Sequence, residues 1–337
     1  MRLIKASIFV SSVLLLWTLS CKNDKPGTDT DTPPPAAKTY KVPAFNADSA
    51  YLYVKKQVDF GPRTTNSPGH QATKEWLVSQ LKGYGLDVVE QDFQATAYTG
   101  TVLKATNIIG RYNPEAKRRI VLSAHWDTRH IADSPINTDR VYEPILGADD
   151  GGSGVGILLE VARLLQANPI DPLNFGVDIV FFDAEDYGHS GSNEYDTYCL
   201  GSQYWAKNPH TGNYKPRYGI LLDMVGAAGA RFTKERLSMT YAPDVMNKIW
   251  RMAQGMGHGN LFVDIPTPEL VDDHLFVNTI AKIPMIDIIN RPSDTETGFP
   301  AHWHTHNDNM DVIDKDTLRA VGQVLMAVVY REASGSF

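Results

Sequence analysis

Four acid-bearing segments and one histidine run hold the residues of this 337-residue chain best suited to chemistry. In order they are His125-Trp126-Asp127, Gly147-Ala148-Asp149-Asp150-Gly151, Phe181-Phe182-Asp183-Ala184-Glu185-Asp186, Leu222-Asp223 and Phe299-Pro300-Ala301-His302-Trp303-His304-Thr305. A lone histidine is most often a satisfied core or surface residue. Here each group falls where a strand should end, and carboxylates converging with imidazoles suit a borderline metal ion such as zinc. In Gly147–Gly152 the glycines permit a tight turn, with Asp150 the favoured carboxylate and Asp149 a supporting one. A phosphate-binding loop is excluded there, because no Gly-Lys-Ser/Thr follows. Glu185 and Asp186 are adjacent, so on an irregular strand end one can bind metal while the other moves protons. Asp223 ends an apolar run and needs a partner. Asp272-Asp273-His274 opens a helix, where one aspartate caps. His302, His304 and His306 alternate; an extended segment would put them on one face, with one ligand among them.

The elements that must position these groups follow from apolar patterning. Strands are expected at Val88–Tyr98, Ala105–Tyr112, Arg119–Ala124, Val177–Phe182, Tyr218–Leu222 and Ile283–Ile289. Helices are expected from about Asn46 to Val58, from Pro68 to Gly83 or Gly85, and over Ser153–Ala167, Val245–Met256, His274–Ile280 and Asp316–Ala333. Continuous apolar strands alternating with helices predict an α/β fold, a three-layer α/β/α sandwich on a mixed, largely parallel, twisted sheet. Sites in such folds lie beyond the carboxyl ends of the strands, where the motifs fall.

The bulk numbers fit this picture. Hydrophobic residues make up 42% and charged residues 21%, as in a soluble enzyme, and the net charge is −7. No basic stripe offers a phosphate footprint, so nucleic acid is not an expected partner. Arg2 and Lys5 precede the short apolar run Ile8–Leu19, then small residues and Cys21. That order resembles a bacterial lipoprotein signal, although Thr18 stands where Leu is usual. It implies a signal over residues 1–20, a lipidated Cys21 and a disordered tether over 21–42 with Pro33-Pro34-Pro35. The catalytic domain is then 43–337, expected to be exported, membrane-anchored and facing the periplasm. Cys199 is the one cysteine left, and the expectation for it is a small buried side chain.

From about residue 45 onward the chain resembles the zinc-dependent glutaminyl cyclases, whose fold is that of the zinc aminopeptidases. The His-x-Asp and Gly-Ala-x-Asp-Gly elements are common to both groups. The segments Phe181–Asp186, Leu221–Ala227, Asp272-Asp273-His274 and Phe299-Pro300 with Trp303-His304-Thr305 resemble the cyclases more closely, and Cys199–Trp205 is similar to bacterial members. The resemblance implies one zinc held by Asp150, Asp186 and His304, with Glu185 as proton shuttle. It implies Asp223 and Asp272 in a network around Glu185, and Trp303 as a pocket wall. The implied reaction converts N-terminal glutamine of peptides and proteins to pyroglutamate with loss of ammonia. Two departures stand out: Asp186 where animal cyclases have Glu, and Tyr187-Gly188-His189-Ser190 where a Trp is expected. Two rival readings remain. One is a two-zinc aminopeptidase with His125 and Asp223 at a second metal; the other is a binding lipoprotein that kept the fold and lost catalysis.

Overall fold

Eight strands and eight α-helices are found among the described residues. The strands are β1 (Asp87–Thr96), β2 (Val102–Tyr112), β3 (Arg119–His125), β4 (Gly176–Phe182), β5 (Gly219–Asp223), β6 (Phe232–Glu235), β7 (Phe262–Thr267) and β8 (Met285–Ile289). The structure is a computed structural model that describes residues 38–190 and 195–337. The expected signal and Cys21 lie outside the described residues.

The central sheet runs β1-β2-β4-β3-β5-β8. Neighbours from β4 to β8 are parallel, while β1 and β2 are antiparallel to each other and β2 to β4. Every residue of β3, β4, β5 and β8 is buried, which is why these strands read as unbroken apolar runs. Successive side chains alternate between two cores. Ile120, Leu122, Ile220 and Leu222 enter one, Val121 and Leu221 the other. The first core is covered by α1 (Ala47–Asp59), α2 (Pro68–Gly83), α3 (Gly152–Ala167), α6 (Pro243–Gly255) and α8 (Lys315–Ala333). The second is covered by α4 (Leu200–Lys207), through Trp205, and by Val277 after α7 (Asp273–Phe276). The expected α/β/α layering is therefore present.

Local chemistry sets the helix starts. Asn46 accepts from the Asp48 and Ser49 amides at the head of α1. Ser67 accepts from His70 N–H ahead of α2, with Pro68 in the first turn.

Four differences from the sequence expectation have physical causes. The folded unit begins earlier than residue 43, because Tyr40 N–H donates to Ser334 Oγ and Tyr40 and Val42 pack on the core. Beyond α7 the chain widens into a π-turn at Val277–Ala281, where Asn278 bonds His274 O and both polar groups of the Met285 backbone. Residues 301–307 form turns, with His304 at φ +53°, so the three histidines share no extended face. Finally, α4, α5 (Arg236–Tyr241) and the small parallel pair β6–β7 are present although unexpected. They are too short to carry a clear period.

Candidate active site

The carboxyl ends of β3, β4 and β5 deliver His125, the Asp183–Asp186 turn and Asp223 to one side of the sheet. Both adjacent acid pairs are held there by the same device. Asp127 accepts from Glu185 N–H (3.0 Å) and Asp186 N–H (3.2 Å) through its two oxygens. Asp308 accepts from Asp149 N–H (2.7 Å) and Asp150 N–H (3.1 Å). In each clamp both carboxyl oxygens meet a backbone donor, and such bonds are stronger than neutral ones when the acceptor is ionised. Asp183 fixes the turn before Glu185 by accepting from Thr106 N–H, Ala184 N–H and His70. Ala184, Met224 and His304 adopt left-handed backbone beside Glu185, after Asp223 and at the histidine itself. Such conformations cost energy outside glycine and gather where surrounding structure imposes them.

Asp150, Asp186 and His304 come together. One donor atom from each lies within 4.8 Å of the others, and all three residues are buried. His304 Nε2 is 3.2 Å from Asp186 Oδ1 and 3.8 Å from Asp150 Oδ2. Donors of a tetrahedral ion with bonds near 2.1 Å stand about 3.4 Å apart, so this set has the right span. Asp186 Oδ2 is buried without a hydrogen-bond partner, as expected of an atom reserved for a ligand. The donor set of two carboxylates and an imidazole fits a borderline divalent cation. Asp133 Oδ1 lies 3.0 Å from His304 Nδ1, and Arg129 grips Asp133 with two bonds, so the imidazole is oriented from behind.

A second donor set shares Asp150. His125 Nε2 is 3.0 Å from Asp150 Oδ1 and 3.2 Å from Asp223 Oδ1. Asp223 bonds His125, while Asp272 groups with Glu185 and Cys199. The Cys199 thiol donates to Glu185 Oε1 at 3.1 Å, and Cys199 N–H donates to Glu185 O at 2.8 Å. Cys199 is buried as expected, yet it braces Glu185. Asp272 also caps α7 through the Asp273 amide.

Electrostatics separate the acids. Burial raises the Glu185 carboxyl well above its ordinary value; His125 opposes the rise, and Asp186, Asp272 and Asp273 add to it. Burial likewise raises Asp223 well above the carboxylate range despite the His125 bond. Asp150 goes the other way: burial opposes its ionisation, but His125, His304 and His302 hold its carboxyl low. Burial would depress His304, yet Asp186 and Asp133 raise it to about 9. Burial also raises Asp186, opposed by His304, so the low carboxyl sets Asp150 apart from Glu185, Asp186 and Asp223.

These groups line a cavity of about 650 Å³. Trp303 and Phe299 stack at 4.3 Å, and Trp303 lies on the His304 ring at 3.8 Å. With Leu275, Ile289 and Met224 they make one wall apolar. His189 also lines the cavity, in the segment where a Trp was expected; Tyr187 instead stacks on His130.

Sequence reasoning brought Asp150, Asp186, His304, Glu185, Asp223, Asp272 and Trp303 to this cavity, and His125 beneath it. It missed Asp308, Asp133 and the part played by Cys199. The His302–Asp149 pair (2.9 Å) was visible only as two separate candidates.

Comparison with known proteins narrows the reading. The model for peptidase family M28 matches residues 107–329. Glutaminyl cyclase from Bacteroides thetaiotaomicron, solved bound to N-acetylhistamine, is 51% identical; the match covers 86% of this chain and 99% of that one, with a TM-score of 0.82. A Zn-dependent exopeptidase from Parabacteroides distasonis is 47% identical over 86% of this chain and 99% of that one, with a TM-score of 0.83. The glutaminyl-peptide cyclotransferase of Drosophila melanogaster is 26% identical, covering 79% of this chain and 76% of its own length. Matched by that family model over well over half its length, and by solved relatives near half identity, the chain belongs to peptidase family M28.

Proposed function

We propose that this protein is a glutaminyl-peptide cyclotransferase, converting N-terminal glutamine to pyroglutamate with release of ammonia. The observation that carries the reading is the 51% identity to a bacterial glutaminyl cyclase across nearly all of that chain. The cavity agrees with it: a proton-carrying acid, a metal-type donor set and an aromatic wall sized for a folded side chain.

Asp150, Asp186 and His304 would hold one zinc ion. Bound there, the ion supplies Lewis-acid polarisation of the substrate's side-chain carbonyl and stabilises the charge that develops on its oxygen. The remaining work falls to the chain's own residues. The apolar wall of Trp303, Phe299 and Leu275 holds the glutamine side chain folded back on its α-amine, which replaces a search over conformers. Glu185, partly exposed to the cavity and braced by Cys199, takes a proton from the attacking amine. A bond forms between the α-nitrogen and the side-chain carbonyl carbon. The bond from that carbon to the amide nitrogen breaks, and Glu185 returns the proton to the departing ammonia. Its raised affinity for protons suits both halves of this exchange. Asp272, grouped with Glu185, steadies the charge during transfer.

A two-zinc aminopeptidase is the second reading, favoured by the His125-Asp150-Asp223 set and by the exopeptidase relative. One experiment decides. Purified protein is given Gln-peptide and Leu-peptide side by side, with metal content measured on the same sample. Ammonia from the first, little hydrolysis of the second and one zinc per chain support the cyclase. Two zincs with brisk Leu release and no ammonia overturn it. We further propose that the protein is exported and anchored through lipidated Cys21, on the strength of the basic start, short apolar run and cysteine.

A further inference from the structure

Arg63 is fully buried, yet none of its guanidinium bonds goes to a carboxylate. Nε donates to Trp126 O (2.9 Å), Nη1 to Leu146 O (2.7 Å) and Nη2 to Gly147 O (2.7 Å). Its backbone N–H donates to Thr128 Oγ1 (2.9 Å). Every one of these acceptors belongs to one of two segments. Trp126 and Thr128 flank Asp127, whose carboxylate clamps Glu185 and Asp186. Leu146 and Gly147 open the turn that carries Asp149 and Asp150.

A buried guanidinium is expensive unless its donors are met, and here each of its three nitrogens finds a backbone carbonyl. The packing around it is close. Gly147 has φ +57°, and a Cβ on Gly152 would lie 2.7 Å from Gly147 O and 3.5 Å from Arg63 Nη2. Arg63 therefore meets the Asp149–Asp150 turn on its Gly147 side, while Asp308 holds the amides of the acid pair. It does not line the cavity and takes no part in the reaction described above.

We infer that Arg63 is a positioning residue for the metal centre: its fork ties the Asp127 segment to the Asp150 turn and sets both before any ion arrives. This rests on the reading of Asp150 as a metal ligand. A single side chain bridging the supports of Asp150 and Asp186 fixes the spacing of two ligands that lie 36 residues apart in sequence. A lysine there keeps the charge but offers no planar fork to span the three carbonyls.

The test measures zinc affinity by chelator competition in full-length wild type and in Arg63→Lys, Asp150→Asn and Arg119→Lys. Arg119 is a mostly buried arginine paired with Asp178, and its variant controls for general loosening. Loss of a supporting partner behind a metal ligand costs about 10- to 100-fold in affinity, so Arg63→Lys should weaken zinc by that factor while Arg119→Lys leaves it within about threefold. Unchanged affinity in Arg63→Lys, with Asp150→Asn weakened, overturns the inference and spares the ligand reading. Unchanged affinity in Asp150→Asn overturns the ligand reading itself. Should Arg63→Lys fail to fold, amide exchange on wild type answers the same question. Protection of Gly147–Gly152 before zinc is added supports the clamp; protection that arises only with zinc overturns it.

Discussion

Replacing Asp127 by asparagine tests how the Glu185–Asp186 pair is held. In the native site both carboxylate oxygens accept backbone N–H groups, at 3.0 and 3.2 Å. The amide keeps one acceptor and turns an NH2 toward the other N–H, so one bond is lost and one buried donor is left facing a donor. Losing a charge-assisted bond costs about 1.5–3 kcal/mol, and stranding a buried N–H costs about 1–3 kcal/mol. The two effects concern the same group and do not simply add, so about 3 kcal/mol is expected. Spread over global stability, that lowers Tm by roughly 5 °C in a chain of this size. Concentrated locally, it shifts Glu185 and Asp186, and a displacement near 1 Å costs about a hundredfold in rate. The expectation is a kcat lowered about 10- to 100-fold with KM changed less than about threefold, read by ammonia release from a glutaminyl peptide. Asp178→Asn is the control. It breaks the buried Arg119 pair near the start of β4 and should cost comparable stability without touching turnover. Wild-type kcat in Asp127→Asn would show that the acid pair does not depend on this clamp.

Other predictions address separate groups. Glu185→Gln should reduce kcat by about 10²- to 10⁴-fold while zinc content stays at the wild-type level, because an amide cannot carry the proton; a near-normal rate would mean that Glu185 is misassigned. His210 should make stability depend on pH. Burial lowers its pKa to about 4, opposed by Asp178 and aided by Arg111 and Arg119, and its Nδ1 accepts from Trp205, which requires a neutral ring. A histidine depressed in the folded state stabilises fully above its unfolded pKa of about 6.5, and that stability is lost as pH falls toward about 4, by up to roughly 3 kcal/mol. Urea unfolding at pH 7 and pH 4.5 should show a smaller difference in His210→Asn than in wild type; an equal difference would assign the dependence elsewhere. Cys21→Ser should move the protein from the membrane fraction to a soluble or unprocessed form, and wild-type protein found wholly soluble would refute the anchor.

Much of the fold was legible because β3, β4, β5 and β8 are buried on both faces and so are apolar throughout. Their ends then mark where His125, Glu185 and Asp223 must lie. Asp150 and Asp186 lie 36 residues apart and His304 more than a hundred beyond both, so their approach rests on tertiary contacts, and there family resemblance supplied what periodicity could not. Asp308 and Asp133 escaped notice because they sit in irregular chain with no repeat, and their roles are bonds to distant backbone and imidazole atoms. Cys199 was read only as a buried side chain, since nothing in its neighbours' identities says that a left-handed turn aims its thiol at Glu185. His302, His304 and His306 misled in the opposite sense. Their alternation suggests a strand, but the turn sends His304 to Asp186 and His302 to Asp149.

Asp150 belongs to both donor sets, so the choice between cyclase and hydrolase falls on what fills the space beside His125. A hydrolase of the two-metal kind needs a second ion between His125 and Asp223 to bring and activate water. The donors there have the same span: His125 Nε2 lies 3.0 Å from Asp150 and 3.2 Å from Asp223, close enough for a hydrogen bond or for a shared ion. A two-metal hydrolase would fill that space with the ion. A cyclase has no need of it, because the substrate carries its own nucleophile. The proton then has only to pass between two nitrogens of one glutamine, a distance that a single carboxyl can serve. Trp303, lying on the ligand-type His304 and stacked on Phe299, narrows the cavity where a longer hydrolytic substrate would need room for water. Substituting Trp303 by a smaller side chain should therefore raise KM for glutaminyl peptides more than it lowers metal affinity, if the ring lines the substrate's pocket as proposed and only leans on His304. Equal losses in both would show that its weight falls on His304 rather than on the pocket.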